Sequence, residues 1–110
     1  MKVSEIIEKL NLRVFGGEDG LQNEITGGYV SDLLSDVMGN ADEGEVWVTL
    51  QTHKNVMAIS SLKELAAVIL VTDHEPDADM LEQANEEGIP VLGTEKSTFE
   101  VSGELYQLLK

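Results

Sequence analysis

Two hydrophobic rhythms divide this chain. From Val46 onward, short runs of consecutive apolar residues alternate with stretches in which apolar residues recur every three or four positions. The runs are Val46 to Leu50, apolar at four of five positions, Ala67 to Val71, apolar throughout, and Ile89-Pro90-Val91-Leu92. A strand that is apolar on both faces must be covered on both, so these runs predict inner strands of a parallel sheet. Pro90 stands near the start of its strand, where a lost ladder hydrogen bond matters least.

The intervening stretches predict helices. The first runs from about Asn55 to Leu65, with Val56, Met57, Ile59 and Leu62 as its buried side. Val56 to Ser60 would also suit a strand, but parallel neighbours need a crossover element between them, which favours the helix. An acidic helix opens at Pro76 or Asp77, turns Leu81 and Ala84 inward and ends at Gly88. Ser97-Thr98-Phe99-Glu100 is a capping box, in which serine hydroxyl and glutamate carboxylate each satisfy an amide at the other's end. The last helix then runs to about Leu109, with Val101, Leu105 and Leu108 inward. Strands and helices alternating with short connections specify right-handed crossovers and a largely parallel sheet flanked by helices, an α/β fold.

The first forty residues are weaker in pattern. Ser4 is expected to cap a short helix with Ile6, Ile7 and Leu10 inward, ended by Asn11. Leu12 to Phe15 alternates as a short strand, and Gly16 to Gly20 supplies a turn. That turn holds two acidic residues and no P-loop lysine, so it is no phosphate cradle. Glu24 to Val30 reads as extended, with Gly27-Gly28 marking a bulge or a close approach of another backbone. Ser31 is expected to cap a helix that groups Leu33, Leu34, Val37 and Met38 on one face and closes at Gly39-Asn40. Asp32, in its first turn, complements the helix dipole.

Length and charge narrow the classes. A chain of 110 residues makes one domain, residues 1–110, able to bury a core without metal or disulfide. Cysteine is absent, which removes disulfides, thiolate nucleophiles and cysteine-ligated zinc. Twenty-one acidic against seven basic residues give a net charge of −14, which argues against nucleic acid and membrane partners. The dense acidic patch from Asp73 to Glu87 reads as a solvated face. The first ten residues lack the apolar run of a secretory signal, and no stretch is long enough to span a bilayer, so the expected location is the cytoplasm.

If the three strands run parallel, their carboxyl ends bring separate polar loops together. Gln51, Thr52, His53 and Lys54 follow the first, Thr72, Asp73 and His74 the second, and Thr94, Glu95, Lys96 and Ser97 the third. Ligands of open α/β sheets bind at this edge, where helix N-termini present unpaired amides and positive dipole ends. Both histidines and two of the seven basic residues fall on it. The expected ligand is small and anionic or nucleotide-like, held by helix N-termini and Lys54, with Gln51, Thr52 and Thr72 as hydrogen-bond partners. His53, His74, Asp73 and Glu75 lack an established metal-ligand spacing, and no G-x-S-x-G elbow occurs, so no metal, cofactor or catalytic residue is assigned.

Three stretches carry a resemblance: Gly28 to Met38, Val46 to Leu62, and Gly88 to Leu92. Together they resemble the DRTGG domain family, which is similar to the N-terminal domain of HPr kinase/phosphorylase, and the likeness covers nearly the whole chain. It implies a three-layer α/β/α domain that accompanies CBS domains in pyrophosphatases, or catalytic domains such as phosphotransacetylase, as a regulatory or dimer-forming module. The name-giving residues differ here. The aspartate-arginine pair would fall near His53-Lys54, and the threonine-glycine-glycine near Thr72-Asp73-His74, where Thr72 alone agrees; Thr26-Gly27-Gly28 matches in letters but not in position. The kinase P-loop is absent.

The expected function is therefore a non-catalytic regulatory module that forms a homodimer and senses a small anionic metabolite. A structural protein–protein interaction module without a ligand is the first alternative, and a small metal-dependent or hydrolytic enzyme using His53, His74 and Asp73 the second.

Overall fold

The computed structural model describes residues 1–110. Helix α1 spans Val3–Leu10, strand β1 Arg13–Gly16, β2 Gly27–Val30, α2 Leu34–Asn40, β3 Glu45–Thr49 and α3 Asn55–Leu62. Strand β4 covers Ala67–Leu70, α4 Ala78–Glu87, β5 Val91–Gly93 and α5 Thr98–Leu109. The sheet order is β1-β5-β4-β3-β2. Every pair is parallel except β1 with β5, so the sheet is largely parallel with one antiparallel edge strand.

Strand periodicity sorts the core into two layers, because successive side chains leave opposite faces of the sheet. Val46, Val48, Ala67, Ile69 and Leu92 pack with Val3, Ile6, Leu10, Val101 and Leu105, the inner sides of α1 and α5. Trp47, Val68, Leu70 and Val91 pack with Val37, Val56, Met57, Met80 and Ala84 of α2, α3 and α4. The fold is thus a three-layer α/β/α sandwich, and the apolar runs of β3 and β4 are covered on both faces as their composition requires.

Several local expectations give way to tertiary contacts. Helix α1 is capped by Lys2, whose amide reaches the Glu5 carboxylate at 3.1 Å, while the Ser4 amide is taken by the Leu21 carbonyl at 2.9 Å. Asn11 ends α1 in the left-handed conformation, and Gly88 ends α4 likewise at φ 65°. Ser31 does not cap α2: its hydroxyl accepts from the Leu33 amide at 3.1 Å and the helix begins at Leu34. Only Val37 of the expected apolar face is buried, with Leu33 and Met38 exposed, and Gly39-Asn40 belong to the helix rather than closing it. Helix α3 stops at Leu62, whose side chain is exposed; Leu65 fills the core from the following turn. In α4 it is Met80, beside Ala84, that is buried, whereas Leu81 is half-buried. The capping box at Ser97 is formed as expected, the hydroxyl accepting from the Glu100 amide at 3.2 Å. Leu108 is half-buried.

Candidate functional site

Parallel pairing of β2, β3, β4 and β5 sends four carboxyl ends to one edge, and antiparallel β1 adds its amino end there. Thr52, Thr72 and Thr94 therefore follow three adjacent strands at the same side of the molecule. Asp32 joins them from β2. It lies before α2, not in its first turn; its Oδ1 accepts from the Thr49 hydroxyl at 2.8 Å and the Leu50 amide at 2.9 Å. Gln51 donates its side-chain amide to the Asp32 carbonyl at 3.0 Å. Together these bonds lock the ends of β2 and β3. Thr52 accepts the Asp77 amide on its carbonyl at 2.8 Å, clamping the loop to the start of α4. His53 is half-buried and Lys54 exposed; their carbonyls accept the Val56 and Met57 amides that open α3.

The end of β4 is a tight, strained turn. Thr72 and Asp73 are both left-handed, at φ 51° and 61°, a conformation that side chains other than glycine adopt at a cost of about 1 kcal/mol or more each. It persists because the Thr72 amide donates to the Lys96 carbonyl and the Asp73 amide to the Thr94 carbonyl, both at 2.9 Å, which extends the pairing with β5 past the strand. Nδ1 of His74 lies 2.9 Å from the Val71 carbonyl and 2.8 Å from the Thr72 hydroxyl. A carbonyl only accepts, so Nδ1 carries a proton, and Nε2 of this exposed ring is the nitrogen left without a partner.

At the end of β5, Thr94 is buried and accepts the Lys96 amide on its hydroxyl at 3.1 Å. The Lys96 ammonium is held by Glu104 at 2.7 and 2.9 Å, and Ser97 caps α5. Arg13, which the sequence did not mark, arrives here on β1: its guanidinium lies 3.5 Å from Asp73 Oδ1 and 4.7 Å from the Phe15 ring centre. Arg13, Asn11, Thr94, Glu95 and Lys96 share a shallow cavity of about 270 Å³. Of the ten expected ligand residues, Gln51, Thr72, Thr94, Lys96 and Ser97 thus spend side-chain polar groups on the framework, Thr52 spends its carbonyl and Asp73 faces Arg13, while the side chains of His53 and Lys54 and Nε2 of His74 have no partner.

The opposite edge differs in charge. Glu24, Glu43, Glu64 and Glu87 line a cavity of about 490 Å³ there with no basic residue among its walls. The hydrogen bond from Glu43 to Glu64, and then the charge of Glu64, raise the Glu43 carboxyl above the ordinary glutamate range. Near the carboxyl edge the reverse holds: Ser31, then the Tyr29 hydroxyl, lower the Asp36 carboxyl, and Tyr29 donates to both Asp36 oxygens at 2.9 Å. The signs follow from linkage. The Asp36 contribution is present above the ordinary aspartate range and is lost as pH falls through its lowered value. The Glu43 contribution is present below the ordinary glutamate range and lost as pH rises through its raised value. Asp36→Asn is therefore expected to flatten the acid limb of a urea-midpoint titration below about pH 4, and Glu64→Gln the decline above it; variants whose difference from the parent does not change with pH would refute both assignments.

A family model described as the DRTGG domain matches residues 5–108. The chain belongs to the DRTGG domain family. The fold agrees with that of a solved structure containing such a domain, the CBS and DRTGG domains of the regulatory region of Clostridium perfringens pyrophosphatase complexed with an activator, diadenosine tetraphosphate. The TM-score is 0.71 at 15% identity, over 96% of this DRTGG chain and 45% of the other, so the chain spans less than half of that neighbour. A comparison with curated protein sequences finds no match. No helix of this DRTGG domain is long and apolar enough to cross a membrane.

The turn that follows β4 keeps a demanding backbone. Asp73 holds a positive φ, which glycine would adopt without strain. Arg13 carries no mark in the sequence and Asp32 carries that of a helix start, so neither was expected at this edge. Asp32 follows an extended segment just as Asp73 does, and that parallel was the available signal. Arg13 could be placed only once the direction of β1 was known.

Proposed function

We propose that this DRTGG domain is a non-catalytic regulatory module of 110 residues, acting in the cytoplasm, that self-associates and senses a small anionic or nucleotide-like ligand at the carboxyl edge of its sheet. One observation carries the reading. In a chain of net charge −14, Arg13, Lys54, His53 and His74 are gathered on one edge, above loops whose backbones are braced by side chains. The exposed cations of this braced rim suit phosphoryl oxygens, and the neighbour's nucleotide activator supports that ligand class.

Thermal unfolding with AMP, ATP, diadenosine tetraphosphate and inorganic phosphate tests it. A ligand at a hundred times its dissociation constant stabilises by about 2.7 kcal/mol, a rise in Tm of about 10 °C for a chain of this size. Arg13→Ala and Lys54→Ala are expected to reduce the rise while leaving the unliganded Tm within about 2 °C, because both side chains are exposed. No shift with any of the four compounds would remove the sensing role. The apolar groove beside β2 favours a second reading, a protein–protein interaction module that needs no ligand.

A further inference from the structure

Strand β2 is the outer strand of the sheet and has β3 as its one neighbour. Above it α5 presents Ser102, Tyr106 and Leu109, which with Gly28 and Val30 line a groove of about 470 Å³. Tyr106 is 67% exposed, and Phe99, two turns earlier on the same side of the helix, is 88% exposed. The Ser102 hydroxyl is shut away from solvent in this wall without a hydrogen-bond partner. Helix α5 already gives Val101 and Leu105 to the core. A second line on α5, Phe99, Ser102, Tyr106 and Leu109, with two aromatic residues and a leucine, is spaced by three, four and three residues, the spacing of the seam between two packed helices.

We propose that this face joins a second copy of the chain: β2 pairs antiparallel with its counterpart around a two-fold axis at Tyr29, and the two α5 helices lie side by side above the joint. The proposal rests on the self-association read above and adds the surface. A two-fold contact must be complementary to itself. Directly opposed residues of an antiparallel pair share one face of the sheet. With the axis at Tyr29, Val30 of each copy stands over Gly28 of the other, a branched side chain against bare backbone. Gly28 faces α5, its missing methyl position lying 3.3 Å from Leu105.

Charge and area also favour a second copy. The groove's charged side chains, Glu45 and Lys110, are of opposite sign, so on a molecule of net charge −14 two copies meet here with less repulsion than the four-glutamate cavity at the other edge would impose. An aromatic side chain buries about 150–250 Å². The exposed parts of Phe99 and Tyr106, with Val30 and the β2 edge, then supply about 500 Å² per copy, or about 1,000 Å² in all, the lower limit for a specific interface. The dimer is accordingly weak and concentration-dependent.

Sedimentation velocity on the full chain, from about 10 µM to about 1 mM in about 0.05 and 0.5 M sodium chloride, tests this. The mass is expected to rise from 12.0 kDa toward twice that value with concentration. The dissociation constant is expected to fall severalfold at the higher salt, because screening relieves the repulsion between two acidic molecules. Val30→Lys and Tyr106→Lys each lower the net charge and so ease general repulsion, yet each is expected to weaken the dimer at least tenfold with an unchanged Tm, both side chains being exposed. A dimer that survives both substitutions overturns the surface and leaves self-association standing. A parent chain that stays monomeric throughout overturns both, and assigns the groove to a polypeptide of different sequence.

Discussion

Trp47→Ala is expected to lower the stability of this domain by about 4 kcal/mol, the largest effect of any single truncation in its core. Trp47 is fully buried at the centre of β3 and heads the fully buried side chains in size. It touches the layer formed by α2, α3 and α4, so its removal leaves a void that three helices border and none can fill alone. The indole also donates to the Ser31 carbonyl at 2.8 Å, which ties the end of β2 to β3. Domains of this size hold about 5–15 kcal/mol in total, so the variant stands close to unfolding, with Tm lower by about 15 °C. Trp47→Phe separates the two contributions. It keeps most of the volume and loses the hydrogen bond, for an expected loss of about 1–2 kcal/mol. Urea unfolding at constant slope measures both, and near-equal losses for Ala and Phe would show that volume is not what Trp47 supplies.

Gly17→Ala is expected to destabilise by about 3 kcal/mol although it adds a single methyl group. Gly17 holds φ +74°, and a methyl there would fall within the Ile89 carbonyl and 2.7 Å from the Pro90 α-carbon. Both obstacles are backbone, so no side chain can swing aside. The left-handed conformation adds about 1 kcal/mol for any residue with a β-carbon. The Gly17 amide donates to Asn85 at 2.8 Å, so the turn that starts the return from β1 is pinned to α4 and cannot drift to make room. Gly103→Ala is the control. That glycine lies within α5 with nothing near the missing methyl, and alanine should stabilise the helix there by up to about 1 kcal/mol. Opposite signs for the same chemical change would locate the constraint in the Gly17 turn; a mild effect at Gly17 would mean that the β1–β5 edge yields easily.

The two halves of the chain were unequally legible. Val46 to Leu50 and Ala67 to Val71 announced buried strands because an uninterrupted apolar run has no stable home except between two covering layers. Observed strands β3 and β4 differ from those runs by a residue at their ends. The Ser97 capping box, Asn11 and Gly88 were legible because each satisfies backbone groups within a few residues. The α2 region misled for the same reason: Ser31 and Asp32 have the chemistry of a helix start, but Leu33 already uses the serine hydroxyl, and Thr49 and Leu50 take the aspartate. Local competence did not decide which partner won.

Residue chemistry by itself determined an α/β architecture, a parallel run of three inner strands, and a carboxyl edge where Thr52, Thr72, Thr94 and both histidines gather. Periodicity and capping depend on neighbours in sequence, and once parallel crossovers are required the edge follows from geometry. Tertiary structure alone decided that β2 extends the sheet beside β3 and that β1 turns antiparallel against β5. Those two choices delivered Asp32 and Arg13 to the edge, and left β2 with an open flank under α5. Edge strands are short and half-covered, so their own pattern says little. Their places are set by which margin of the finished sheet still has unpaired amides and carbonyls, a property of residues far away in the chain.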